Sequence, residues 1–293
     1  MNKLPIEKRV QILSMMCEGS SMRSISRIAD VSINTVTKLL VDAGKACANF
    51  HDKTVRGVAA KHVQCDEIWS FCYAKDKTLK YAKAAPAGAG SAWTWTALDM
   101  ESKLIISCLV GGRDAAYAME FMEDLKSRLS TRVQLSTDGH KPYLTAVESA
   151  FGHQIDYAQL VKIYGAPSDN PDVRYSPAPF ISAKKNVVSG NPDESLISTS
   201  HVERSNLSFR MHMRRFTRLT NAHSKKLENH CHMIALYTVW YNFARINSAI
   251  RVAPAMAAGL TTKLWTMADI VALVDSATPA PAKRGPYKKR NSN

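Results

Sequence analysis

The first forty residues carry apolar side chains at helical spacing. Ile6, Val10, Leu13 and Cys17 recur every three or four positions between Pro5 and Gly19. "PIEKRVQILSMMCE" therefore predicts a helix, with proline in its first turn and glycine as its stop. Ile25, Ile28 and Ala29 mark a second, short helix, and Val36, Leu39 and Leu40 mark a third. The "DVS" between them is a tight turn, with Ser32 placed to cap the third helix. Three short helices at this spacing form a helix-turn-helix candidate. In such a unit the first residues of the last helix face base edges. Here those are Ser32, Asn34, Thr35 and Lys38, all able to hydrogen-bond to DNA. A plain three-helix bundle shares the same pattern.

Beyond residue 60 the periodicity changes. "KHVQCDEIWSFCYA" is rich in β-formers and predicts a strand. "KDKTLKYAKAAPAGAG" is an exposed hairpin or loop, whose lysines suit either DNA contact or protection of a sheet edge. "SAWTWTALDM" and "KLIISCLVGG" predict two more strands, joined by a turn at Glu101 and Ser102. "DAAYAMEFMEDLKSRL" is an amphipathic helix, "RVQLSTDG" a fourth strand, "KPYLTAVESAF" a second helix and "HQIDYAQLV" a fifth strand. Helices resume at about 201–216 and 222–247.

This order predicts a mixed α/β sheet flanked by helices, with a small all-α unit ahead of it. The expected division is a helix-turn-helix domain over 1–48, a linker over 49–60, and an α/β domain over 61–255. Residues 161–200 hold five of the twelve prolines and are expected to be a loop-rich insertion. Residues 256–293 form an extension ending in the basic tail "AKRGPYKKRNSN".

Charge narrows the function. Lys and Arg total 39 against 25 acids, a formal +14, which calls for a polyanionic partner. A membrane partner is disfavoured, because no apolar run reaches the roughly eighteen residues of a spanning helix. The N-terminus lacks an apolar signal region. The six cysteines are scattered, without a C-x-x-C pair, so neither a zinc ribbon nor a disulfide framework is expected. The histidines at 201, 212, 223, 230 and 232 suit a helix surface or a DNA backbone better than metal ligation.

Three carboxylates stand out. Asp66 lies inside the first strand, where a charge needs a partner or a metal. Its neighbour Glu67 is a rival, expected on the opposite face. Asp138 ends the fourth strand, where open α/β sheets place ligands, but Asp-Gly is also a common turn. Glu203 heads a basic segment containing Arg204, Arg210, Arg214 and Arg215. "SHVE" also matches a capping box, in which Glu203 would fold back on Ser200. Three hard oxygen ligands at one sheet edge suit Mg²⁺ or Mn²⁺. Two such ions roughly 4 Å apart support phosphodiester chemistry.

The stretches "VQCDEIWSF", "STDGHKPY", "SHVERSNLSFRMHMRRFTRLTNAHSKKLENH" and "YNFARINSAIRVAPAMAAGL" cover most of residues 62–260. In them the chain resembles the DDE transposases of bacterial insertion sequences, in particular the insertion sequence one family. The resemblance implies a ribonuclease H-like fold and a triad of Asp66, Asp138 and Glu203, selecting Asp66 over Glu67. It implies a cytoplasmic, nucleoid-associated bacterial enzyme that binds terminal inverted repeats and target DNA. The four arginines after Glu203 would hold phosphates, and pairing of two ends implies a homo-oligomer. Many relatives carry a zinc-binding element ahead of the helix-turn-helix, and this sequence has no paired cysteines to build one. A non-catalytic DNA-binding regulator and a related metal-dependent nuclease or resolvase are the alternatives.

Overall fold

The computed structural model describes residues 3–166, 178–217 and 220–277. The basic tail and the middle of the expected insertion lie outside them. Helices α1 (Ile6–Cys17), α2 (Met22–Ile28) and α3 (Ile33–Thr54) open the chain. Ser21 and Ser32 cap α2 and α3 by accepting backbone N–H groups from Ser24 and Asn34. Helix α3 runs on through the first half of the stretch expected to be a linker.

A six-stranded mixed sheet follows, in the order β3-β2-β1-β4-β5-β6. Its strands are β1 (His62–Cys72), β2 (Gly90–Asp99), β3 (Ile105–Gly111), β4 (Val133–Asp138), β5 (Ile155–Tyr164) and β6 (Phe180–Ser189). β1, β2 and β3 are antiparallel neighbours; β4 joins β1, and β5 joins β4, in parallel. This arrangement is consistent with the expected ribonuclease H-like fold. Within the segment expected to be loop-rich, β6 pairs antiparallel with β5. Its residues are almost all exposed, so no buried face imposes an alternating pattern on the sequence.

Short helix α4 (Asp76–Leu79) sits in the β1–β2 connection. Helices α5 (Ala115–Arg128) and α6 (Pro142–Phe151) cover one face of the sheet, where Trp95 packs against Phe121 and Tyr143. Helix α7 (Ser200–His212) covers the other, near β1 and β2. Helix α8 (Leu227–Val239) continues into a π-helical turn, Trp240–Ala244, and α9 (Pro254–Ala257) and α10 (Met267–Ala277) complete the chain.

The N-terminal helices pack onto this body. Arg9 on α1 is buried and pairs with Asp275 on α10. Helix α3 packs on α8 so closely that a Cβ on Gly44 would lie 2.3 Å from His232 Cβ. The described part of the chain shares a continuous apolar core, running from Ile12 on α1 through Trp95 and Tyr143 to Val274 on α10. Among the described residues no helix is long and apolar enough to cross a membrane.

Candidate active site

Two features of the sheet place the carboxylates. The parallel register pairs Cys65 with Thr137, so Asp66 falls beside Asp138, the last residue of β4. Beyond that point β1 runs on with β2 as its neighbour, and among the described residues no strand pairs with its β4 side until Cys72 bridges to Ser224. Asp66, Glu67 and Asp138 each bring one oxygen into a group whose members lie within 4.8 Å of one another.

Strand alternation holds, yet it does not remove Glu67. Asp66 faces α7, where Asn206 Nδ2 donates to its Oδ2 at 2.8 Å. The side chain of Glu67 is fully buried on the α5–α6 side. The open strand end lets both carboxylates meet Asp138, so the expectation that only one could serve the site is corrected.

Helix α7 is held from β1. Buried Gln64, two residues before Asp66 and on the same face, accepts the backbone N–H groups of His201 at 2.9 Å and Val202 at 3.1 Å. These are amides that the helix cannot satisfy internally. The expected capping box is therefore absent. Glu203 instead accepts hydrogen bonds from Lys162 on β5 and from the Thr199 hydroxyl. It lines a cavity of about 510 Å³ together with Asp66, Asp138, Arg113, His140 and Lys162. Asp138 keeps both of its expected characters: Oδ1 accepts the His140 N–H at 2.9 Å as a turn would, while Oδ2 faces Arg113.

The electrostatics follow from four carboxylates set against two cations. Arg113, in the β3–α5 connection, donates to Glu67 Oε2 at 2.9 Å and to Asp138 Oδ2 at 3.4 Å. Burial, reinforced by the charges of Glu67 and Asp138, pushes the Asp66 carboxyl up to about 7. Burial and Asp138 also raise Glu67, against the pull of the Tyr143 hydroxyl and Arg113. Burial and then Arg113 lower His140.

A divalent cation fits this donor set. The donors are hard oxygens with excess negative charge, and buried Glu67 Oε1 has no hydrogen bond of good geometry.

The other expected residues lie elsewhere. Ser32, Asn34 and Lys38 are exposed and Thr35 is half-buried at the start of α3; Lys38 pairs with Asp42 one turn on. Arg204 and Arg214 are exposed and Arg210 is half-buried, and none lines the cavity. Arg215 turns inward, donating to Ser224 Oγ and the Asn229 carbonyl, and burial lowers it to about 10. His230 is also buried, between Ser70 and Ser224, and burial lowers it to about 3. It is not at the helix surface expected for the histidines.

Sequence reasoning named Glu67 only as a rival of Asp66 and missed Gln64, Arg113, Lys162 and Asn206. Arg113 alone carried a local signal, the "GGRD" that ends β3 and caps α5 through Asp114.

No protein-family model matches the sequence, and no curated protein matches it. Solved structures do. A piggyBac transposase synaptic complex with hairpin DNA is 12% identical, with a TM-score of 0.39 over 94% of this chain and 71% of that one. A Mos1 transposase paired-end complex with the left transposon end is 13% identical, with a TM-score of 0.24 over 54% and 60% of the two chains. The Mos1 strand transfer complex is 11% identical, with a TM-score of 0.24 over 82% and 77%. These scores are low, and the case for function rests on the residues of the cavity.

Proposed function

We propose that this chain is a DNA transposase of the DDE type, acting on the ends of a mobile element and resembling the insertion sequence one family. The convergence of Asp66 and Glu67 with Asp138 where β4 ends, with Glu203 lining the same cavity as the two aspartates, carries this reading. Asp66 and Asp138 are the central ligands, with Glu203 or Glu67 completing the set. Divalent ions held there, Mg²⁺ or Mn²⁺, would supply Lewis-acid activation of water and stabilisation of a leaving oxygen.

The chain's own groups do the rest. Asn206 fixes the Asp66 carboxylate from α7. Gln64 fixes α7 itself, and so the approach of Glu203. Arg113 and Lys162 stand in the cavity as cations for a phosphodiester, the part that sequence reasoning gave to the arginines after Glu203. Arg204, Arg210 and Arg214 lie farther along α7 and just beyond it, where they would touch the DNA backbone. The start of α3, with Ser32, Asn34, Thr35 and Lys38, would read the element's ends as a helix-turn-helix does.

The test uses DNA flanking the gene as substrate. Mg²⁺-dependent nicking and joining to a second duplex are expected from the unaltered chain. Asp66→Asn, Asp138→Asn and Glu203→Gln should abolish both and keep DNA binding. Cleavage that survives all three changes would sink the assignment. Cleavage without joining would make the chain a nuclease.

A further inference from the structure

The β1–β2 ribbon carries a second feature. Glu67, Trp69 and Phe71 share one face of β1, and Trp69 stands directly across from Trp93 on β2. Trp95 on the same face is buried beneath α5 and α6. Farther along, Trp69 is 38% exposed, and Trp93 and Phe71 are half-buried. The Trp69 and Phe71 rings lie 5.7 Å apart, and the Trp69 indole N–H donates to Ser91 Oγ at 3.0 Å. This holds one ring edge in place.

Cations border this stripe at both ends. Arg113, the residue that bridges Glu67 and Asp138, lies 4.7 Å from the Trp93 ring centre. Lys75 lies 6.0 Å from Trp69 and 5.7 Å from Phe71. The connection that follows adds Lys77, Lys80 and Lys83, and Lys80 sits 4.9 Å over the ring of Tyr81, which is 74% exposed. Asp76 is the only acid between Tyr73 and Leu98, and it is taken up by the N–H and hydroxyl of Ser91.

We propose that the Trp93–Trp69–Phe71 stripe and its lysines bind an unpaired DNA strand beside the carboxylate cavity. The inference deepens the DNA-processing reading and rests on it. The exposed Trp69 ring offers a stacking face for a base, flanked by half-buried Trp93 and by Phe71, on which His223 already stacks at 4.6 Å, and lysines alongside offer contacts for the phosphates. Only an unpaired strand presents base faces. In duplex DNA those faces are stacked on each other, so the aromatic stripe would gain little from it. The stripe begins at Arg113, so a strand opened next to the bond held in the cavity would run onto it.

The test measures binding of the full chain to a fluorescent oligothymidine and to a blunt duplex, in EDTA so that no cleavage occurs. Trp69→Ala should weaken oligothymidine binding about tenfold and leave duplex binding unchanged. Trp69→Tyr should restore most of it. Oligothymidine should quench tryptophan emission in the unaltered chain and quench less in Trp69→Ala. Unchanged oligothymidine affinity in Trp69→Ala, or equal losses on both DNAs, would overturn the proposal. The metal site is scored separately, by Mg²⁺-dependent nicking of the unaltered chain and of Trp69→Ala. Binding through the stripe without any cleavage activity would keep this inference and remove the enzymatic one.

Discussion

Asp66→Asn should make the metal-free protein more stable. The substitution keeps an oxygen for Asn206 and removes a charge that the site resists. In the folded chain, burial and the charges of Glu67 and Asp138 hold the Asp66 carboxyl at about 7. In the unfolded chain it returns to roughly 3.9. Between these values the folded protein keeps a proton that the unfolded chain has released. Stability from this group is therefore lost as pH rises through the window, and the loss is complete above the folded value. From about pH 5.5 to about pH 8 the loss amounts to about 2 kcal/mol. Over the whole window the ceiling is about 4 kcal/mol.

Urea denaturation in EDTA at the two pH values measures it. The unaltered chain should be less stable at the higher pH by about 2 kcal/mol more than Asp66→Asn is. At the higher pH the variant should be the more stable protein. Mg²⁺ should then raise the midpoint of the unaltered chain and leave that of the variant in place, since binding to the folded state alone stabilises it. Equal pH slopes in the two proteins, or a less stable variant at the higher pH, would refute the electrostatic account of this site.

Lys162→Met should tighten Mg²⁺ binding about twofold to fivefold in calorimetric titrations, because it frees Glu203 from a half-exposed ion pair. Gln64→Leu should cost about 2 kcal/mol in urea melts, since it strands two α7 amides, that of Val202 buried and that of His201 partly so. It should also weaken Mg²⁺ binding by letting the start of α7 drift. Gly44→Ala should lower the melting temperature with a loss of about 3 kcal/mol or more, because α3 and α8 meet there with no room for a methyl group.

The sequence revealed elements that a local period marks. The strands from His62 to Asp138 are largely buried and read as runs rich in β-formers, and α5 between them buries one face and so recurs at helical spacing. It could not reveal β6, which buries neither face. The choice between cap and ligand at Glu203 stayed open in the sequence for a related reason. "SHVE" is a complete local motif, but its amides are taken by Gln64, which is 137 residues from His201. Lys162 reaches the cavity through the sheet's order, and nothing in its neighbours announces that; the "GGRD" around Arg113 marks a turn but not the cavity it faces. A sound rule about strand faces made Glu67 a rival to Asp66, and the family resemblance then chose Asp66. The rule concerns direction, and it does not bear on where two oxygens end up when the adjoining strand stops.

Helix α3 has 22 residues and spans about 33 Å. Its first residues, Ile33 and Asn34, are exposed, and its later turns are packed against α8. It is thus a strut and not a tether. Whatever the exposed tip holds is held at a set distance and azimuth from the cavity, with no linker slack to average over. Adding one residue within α3 would turn the tip by about 100° about the helix axis. Adding seven would bring it back nearly in phase but about 10 Å farther out.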